Sequence, residues 1–259
     1  MWQPDGWAQT RIGILTPHAD VGPETEFRAM AGSRISIHAT RVPMGAYKPG
    51  GTMDQTISND PVRAFAEPPL VDDAAELLAA APLHAIVYAF TSSSYVRGAA
   101  DDAALRARLE TRTRGIPVII TSAAAAAALS ALRVQRLALI SPPWFSVELD
   151  QQGANYFRSQ GFEVVHNGPA DLPSDQQAIQ PSQLYDWVRE HVPESAQAVF
   201  IGGNGLRAVG VIKALEDVLN RPILTANQVA FWQSLVLSGS SAPIVDYGKI
   251  FSVARPSLA

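Results

Sequence analysis

Two short segments carry the residues best suited to chemistry: "IVYAFTSSS" at 86–94 and "VFIGGNGL" at 199–206. Each is an apolar run that breaks into small hydrogen-bonding residues. The first supplies four consecutive hydroxyls, from Thr91, Ser92, Ser93 and Ser94. The second supplies glycines, which let a backbone approach a ligand closely, and the amide of Asn204. At the carboxyl end of a parallel strand, where a helix begins, such residues surround orphan N–H donors and favour an anion. Ser, Thr and Asn are also ordinary helix caps, and for one loop alone capping is the simpler account. Two matched loops facing one cleft favour an anion site, most simply one for a carboxylate.

Composition narrows the chemistry. Among 259 residues there is no cysteine, which removes disulfides, thiolate metal sites and a thiol nucleophile together. The five histidines show no metal-ligand spacing, no Asp-rich loop appears, and no G-x-S-x-G elbow is present, so no metal is expected. "GGNGLRAVG" lacks the spacing of a dinucleotide fingerprint, and no cofactor is expected. A net charge of −4 argues against nucleic acid as a partner. No run approaches ~20 apolar residues, so no membrane span is expected. The opening "MWQPDGWAQT" does not read as a signal peptide, and the expected location is cytoplasmic.

These loops need elements to hold them. Short β-branched runs at 11–17, 34–42, 85–91, 117–121, 136–141, 162–166, 198–202 and 222–225 read as strands. Several are apolar nearly throughout, as in parallel strands covered on both faces. Helical patterns lie between them at 71–80, 101–112, 122–131, 182–191 and 207–219. The alternation predicts a doubly wound α/β architecture. "IPVIITSAAAAAALSAL" (116–132) and "RPILTANQVAFWQSL" (221–235) share a Pro-started strand, a Thr and a helix carrying Ala and Leu. The chain therefore reads as an internal duplication of two four-stranded halves. Residues 43–69, rich in Gly and Pro, read as an irregular segment that either covers a site or is a solvated connection.

Longer stretches carry a resemblance. "RIGILTPHADVGPETEF" (11–27), "ISIHATRVPMG" (35–45), "YAFTSSS" (88–94) and "RPILTANQVAFW" (221–232) resemble the aspartate/glutamate racemase superfamily. The branch is that of maleate cis–trans isomerases and arylmalonate decarboxylases; "VAFWQSLVLSG" (229–239) and "YGKIF" (247–251) resemble the latter. The resemblance implies two pseudo-symmetric doubly wound domains, each with a four-stranded parallel sheet, and an active site in the interdomain cleft. It places the first half at 1–133 plus 223–259 and the second at 134–222. It also implies self-association into a homo-oligomer.

The family's two thiol positions fall on Phe90 and Gly203, so any chemistry here is thiol-free. The carboxylate cradle carried over comprises Thr91, Ser92 and Ser93 opposite Asn204 and Gly205. Phe90, Pro143, Trp144 and Gly203 become the pocket wall, and Tyr47 and Lys48 the lid. His18 or Asp20 is left to move a proton, with His the side chain nearest neutrality. The implied activity is that of a cofactor-free lyase or isomerase acting on a small carboxylate through an enediolate or carbanion. Two alternatives stand beside it: a hydrolase or hydratase in which His18 or Asp20 activates water, and a catalytically silent carboxylate-binding protein.

Overall fold

The computed structural model describes Trp7 and residues 9–253. Residues 1–6, Ala8 and the tail from Ala254 lie outside the described residues, and with them most of the opening segment and the outer ends of the first half. Strand β1 (Thr10–Pro17) leads into α1 (Gly22–Ala31), β2 (Ile35–Val42), α2 (Asn59–Phe65) and α3 (Leu70–Leu78). Then follow β3 (Ala85–Tyr88), α4 (Thr91–Arg97), α5 (Ala99–Arg112), β4 (Val118–Ile120) and α6 (Thr121–Ala131). The second half repeats the pattern with β5 (Arg136–Ser141), α7 (Val147–Ser159), β6 (Glu163–Pro169), α8 (Pro181–His191) and β7 (Ala198–Ile201). It ends with α9 (Ile212–Leu219), β8 (Ile223–Thr225) and α10 (Ala226–Leu237).

Two four-stranded sheets result, ordered β2-β1-β3-β4 and β6-β5-β7-β8, with every pairing parallel. The order is the same in both. Inner strands β3 and β7 are buried at every position, and β1 and β5 at all but one. Covered on both faces, they can be apolar throughout. Edge strands β2 and β6 carry the partly exposed positions.

The duplication extends to single hydrogen bonds. A parallel edge strand leaves outward N–H groups without a ladder partner. In the first half Glu110 Oε1 accepts the Val118 N–H at 3.1 Å; in the second Glu216 Oε1 accepts the Ile223 N–H at 3.2 Å. Glu216 also accepts the Lys249 N–H, which ties down the C-terminal segment.

Three expectations change. Strand β8 pairs with β7, so the second sheet runs past the 222/223 boundary carried over from the resemblance, and it is α10 that crosses back. Helix α10 packs on α6, α1 and β3, with Phe231 edge-on to Phe27 at 5.2 Å between ring centroids. The stretch 207–219 is not one helix: a 3-10 turn at Val209–Val211 precedes α9, because the Ala208 and Val209 N–H groups bond to Glu26 instead. The segment 43–69 is not irregular throughout, since α2 lies within it and Tyr47 bridges to Met53 in a small hairpin. Of the alanine run in α6, Ala124, Ala125 and Ala128 are buried while Ala123 and Ala127 are exposed. Among the described residues no helix is long and apolar enough to cross a membrane.

Glu216→Ala would leave buried N–H donors without an acceptor, and Glu110→Ala would do so at a half-buried site. The expected losses are about 3 and about 1 kcal/mol of unfolding free energy respectively, read by urea denaturation.

Candidate active site between the two halves

The four loops after β1, β3, β5 and β7 converge on one cleft. In each, the third residue beyond the strand lines it: Asp20 after Pro17, Thr91 after Tyr88, Trp144 after Ser141, and Asn204 after Ile201. Duplication thus delivers four side chains to one place, and divergence has made them an acid, a hydroxyl, an aromatic and an amide. The hairpin around Tyr47 closes over the top. Its far end is pinned to the second half by the Ile57 N–H, which donates to the Trp144 carbonyl at 3.0 Å, and by Asn59, whose amide donates to Glu148 at 3.0 Å. The space left inside is about 30 Å³, room for about two waters.

Thr91 and Asn204 meet across the halves. The Thr91 N–H donates to Asn204 Oδ1 at 3.0 Å, and the Gly203 N–H donates to Thr91 Oγ1 at 3.0 Å. Asn204 Nδ2 donates to Asn227 Oδ1 at 2.9 Å. Both Thr91 and Asn204 line the cleft, with the Thr91 N–H and the Asn204 amide committed to these bonds. Ser92 lines it too, and its hydroxyl bonds to none of the described residues. Ser93 is fully buried and does not line the cleft, because each helical residue turns the next side chain by ~100°. Gly205 does line it.

Among the described residues, Asp20 is the one ionisable acid or base with a carboxylate or cationic side chain in the lining. Its Oδ1 accepts the Gly22 N–H at 2.8 Å, capping the start of α1. Its Oδ2 has no hydrogen-bond partner among the described residues and lies 3.1 Å from where a Cβ on Gly205 would sit. Cap and candidate acid are therefore the same residue, one oxygen for each. Burial raises its carboxyl to about 6, against the opposing effects of the Gly22 N–H and the Arg41 guanidinium. Arg41 is held by Glu24 at 2.8 Å and donates to the Asp20 carbonyl.

His18, the other expected proton carrier, is exposed and outside the cleft lining. Its Nδ1 accepts the Met44 N–H at 3.1 Å and its ring packs edge-on to Tyr47. The loop after β1 turns back through an Asp20 N–H to Pro17 carbonyl bond, which sends Asp20 inward and His18 out. Of the two lid residues, Tyr47 lines the cleft and burial raises its phenol above the usual range. Lys48 points to solvent, paired with Asp54 at 2.8 Å.

Phe90 and Trp144 form apolar wall, Phe90 packed at a tilt on Phe65 with centroids 4.4 Å apart. Pro143 is half-buried outside the lining, and its neighbour Pro142 matters more. Gly203 lines the cleft with φ +81, and a Cβ there would come within 2.1 Å of Pro142 Cγ.

Two residues escaped the sequence reading. Gln176, in the connection after β6, reaches the cleft and donates to the Tyr47 hydroxyl at 3.3 Å. Gly205 makes room for it, since a Cβ there would lie 2.1 Å from Gln176 Nε2. Glu26 is buried behind the cleft and bonds both to the second half and to α10. The only signal for Glu26 was its place in the stretch RIGILTPHADVGPETEF (11–27) that carries the resemblance, and Gln176 had none. Among the described residues no group of three His, Asp or Glu is placed to hold a metal ion.

A family model described as arylmalonate decarboxylase matches residues 57–251, three quarters of the chain. The chain belongs to the arylmalonate decarboxylase family. No curated protein matches it. Among solved structures it is similar to a maleate isomerase from Pseudomonas putida S16 with maleate, at 19% identity and a TM-score of 0.82, covering 95% of this chain and 98% of that one. It is also similar to a Nocardia farcinica maleate cis–trans isomerase mutant with a covalently bound succinylcysteine intermediate, at 20% identity and a TM-score of 0.80, over 93% and 98%. Arylmalonate decarboxylase itself superposes with a TM-score of 0.76 at 22% identity, over 94% and 100%. These likenesses show the two-domain fold.

Gly203→Ala places a methyl both in a left-handed backbone and against Pro142. The expected cost is about 2–4 kcal/mol, part of which the double variant with Pro142→Ala recovers, read by thermal and urea unfolding.

Proposed function

We propose that the protein is an enzyme, a cofactor-free lyase or isomerase that acts on a small carboxylate through an enediolate or carbanion, without a thiol. The observation that carries this reading is Asp20: a buried carboxyl held near neutrality, with one oxygen fixed as a cap and the other facing the cleft. Membership of a family named for a decarboxylase, and folds shared with maleate isomerases, support it.

In the decarboxylase form the substrate's C–C bond breaks, its electron pair passes into the remaining carboxylate as an enediolate, and carbon dioxide leaves. Asp20 then gives its proton to the carbanionic carbon and is reprotonated from solvent. Ser92 and Thr91 offer their hydroxyl protons to the retained carboxylate, supplying donors where charge develops, while Asn204 stays paired with the Thr91 N–H. The carboxylate that departs lies against the apolar side of the cleft, where Phe90, Met44 and Trp144 cannot solvate it. Entry requires the hairpin to lift, because the closed cleft holds only about 30 Å³. A cleft that admits water beside Asp20 also favours a second reading, in which that carboxylate activates water for hydration or hydrolysis.

The test is proton NMR in D2O with maleate, aryl- and alkylmalonates, aspartate, hydroxy acids, amides and lactones. Turnover with deuterium at the former carboxylate-bearing carbon is expected; solvent oxygen-18 in the product would instead select the water reading, and binding without turnover would refute both. Asp20→Asn is expected to lower kcat by about 10²–10⁴, and His18→Ala to leave it intact. Because Asp20 must be protonated to act as the acid, kcat should fall as pH rises past about 6.

A further inference from the structure

Behind the cleft runs an unbroken line of buried polar groups that the proposed chemistry does not use directly. Glu26, on α1, is 7% exposed and lies outside the cleft lining. Its Oε1 accepts the N–H groups of Ala208 and Val209 at 2.6 and 3.0 Å, and its Oε2 accepts from Asn227 Nδ2 at 2.7 Å. Asn227 Nδ2 also donates to the Asn204 carbonyl at 2.8 Å, while Asn227 Oδ1 accepts from Asn204 Nδ2 at 2.9 Å. That leaves Asn204 Oδ1 for the Thr91 N–H. Asn227, Asn204 and Thr91 are each no more than 3% exposed, so solvent does not supply alternatives.

A carboxamide is nearly symmetric in shape, and only its partners decide which end is oxygen. An ionised carboxylate accepts and never donates, so the nitrogen of Asn227 must face it. The oxygen of Asn227 then meets the nitrogen of Asn204, and the oxygen of Asn204 meets the Thr91 N–H. The carboxylate at one end and the Thr91 N–H at the other therefore demand the same polarity along the whole line.

We propose that Glu26 is a positioning residue, whose carboxylate orients the Asn227 amide and, through it, holds Asn204 against Thr91 in the wall of the cleft. This rests on the reading that the cleft is the active site. Glu26 also accepts the two N–H groups of the second half where the chain turns toward α9, so the same carboxylate fixes the loop that carries Gly203–Gly205. Protonation would turn one of its acceptor oxygens into a donor facing a donor. Burial raises its carboxyl to about 7, its three hydrogen-bond donors oppose the rise, and the Asp20 carboxylate adds to it.

The experiment is nitrogen-15 NMR of the whole chain, following the Thr91 backbone N–H and the side-chain NH2 groups of Asn204 and Asn227. In Glu26→Gln, whose amide sets a donor against Asn227 Nδ2, these signals should move and Thr91 exchange should quicken. For any carboxylate the protein turns over, kcat should drop at least tenfold with a smaller change in KM. Glu26→Asp, still acceptor-only, should recover part of that loss. In the wild type, the Glu26 carboxyl carbon and the Thr91 N–H should titrate with one shared midpoint, separate from that of Asp20; this arm decides the matter if Glu26→Gln does not fold. Unmoved Thr91 and Asn204 signals in a folded Glu26→Gln, or titration of Glu26 that leaves Thr91 untouched, would overturn the proposal and reduce Glu26 to a stabilising bridge. If no carboxylate is turned over, the proposed function fails while the NMR arms still judge the positioning.

Discussion

The structure depends on two reciprocal hydrogen bonds between corresponding positions of its halves. Thr91 and Asn204 each stand three residues beyond the third strand of their half, and each gives the other's segment what it lacks. Thr91 brings an N–H to the Asn204 oxygen, and the segment of Asn204 returns the Gly203 N–H to the Thr91 hydroxyl. Each such bond contributes on the order of 1 kcal/mol net, but leaving either donor buried and unpaired costs about 1–3 kcal/mol. The asymmetry makes the pair a condition for bringing the sheets' carboxyl ends together.

Symmetry supplies the positions and divergence supplies the chemistry. The third residue past the first strand of each half is Asp20 in one and Trp144 in the other. The same backbone geometry therefore sets a titratable carboxyl opposite a wall that excludes water. Desolvation by burial is the main reason the Asp20 carboxyl is raised to about 6 rather than lying far below neutrality. An exposed carboxylate in the same loop would be ionised at any physiological pH and unable to donate a proton.

Much of this was legible in the sequence. Eight apolar runs read as eight strands, and all eight begin within one residue of the observed amino ends because parallel strands buried on both faces leave an uninterrupted apolar trace. The loops after them were found because Gly, Ser, Thr and Asn cluster where strands stop. What failed was anything decided by packing between distant segments. His18 looked the better proton carrier by its ordinary pKa, yet one turn hydrogen bond directs it outward and Asp20 inward. Ser93 looked like a ligand until helical rotation buried it. Gln176 and Glu26 act across separations of 129 and 201 residues, to Tyr47 and Asn227, and no local pattern encodes such a meeting.

The path of α10 has a consequence for how the molecule is made. Strand β8 closes the second sheet, and the helix directly after it packs on α6, α1 and β3 of the first half. Emerging from a ribosome, the amino-terminal half is therefore not the first to be completed. It waits, with the apolar faces that Phe231 and its neighbours cover still open, until more than two hundred residues have been synthesised. The first half is completed only after the second sheet has been made, and it cannot be cut free as one continuous stretch of chain.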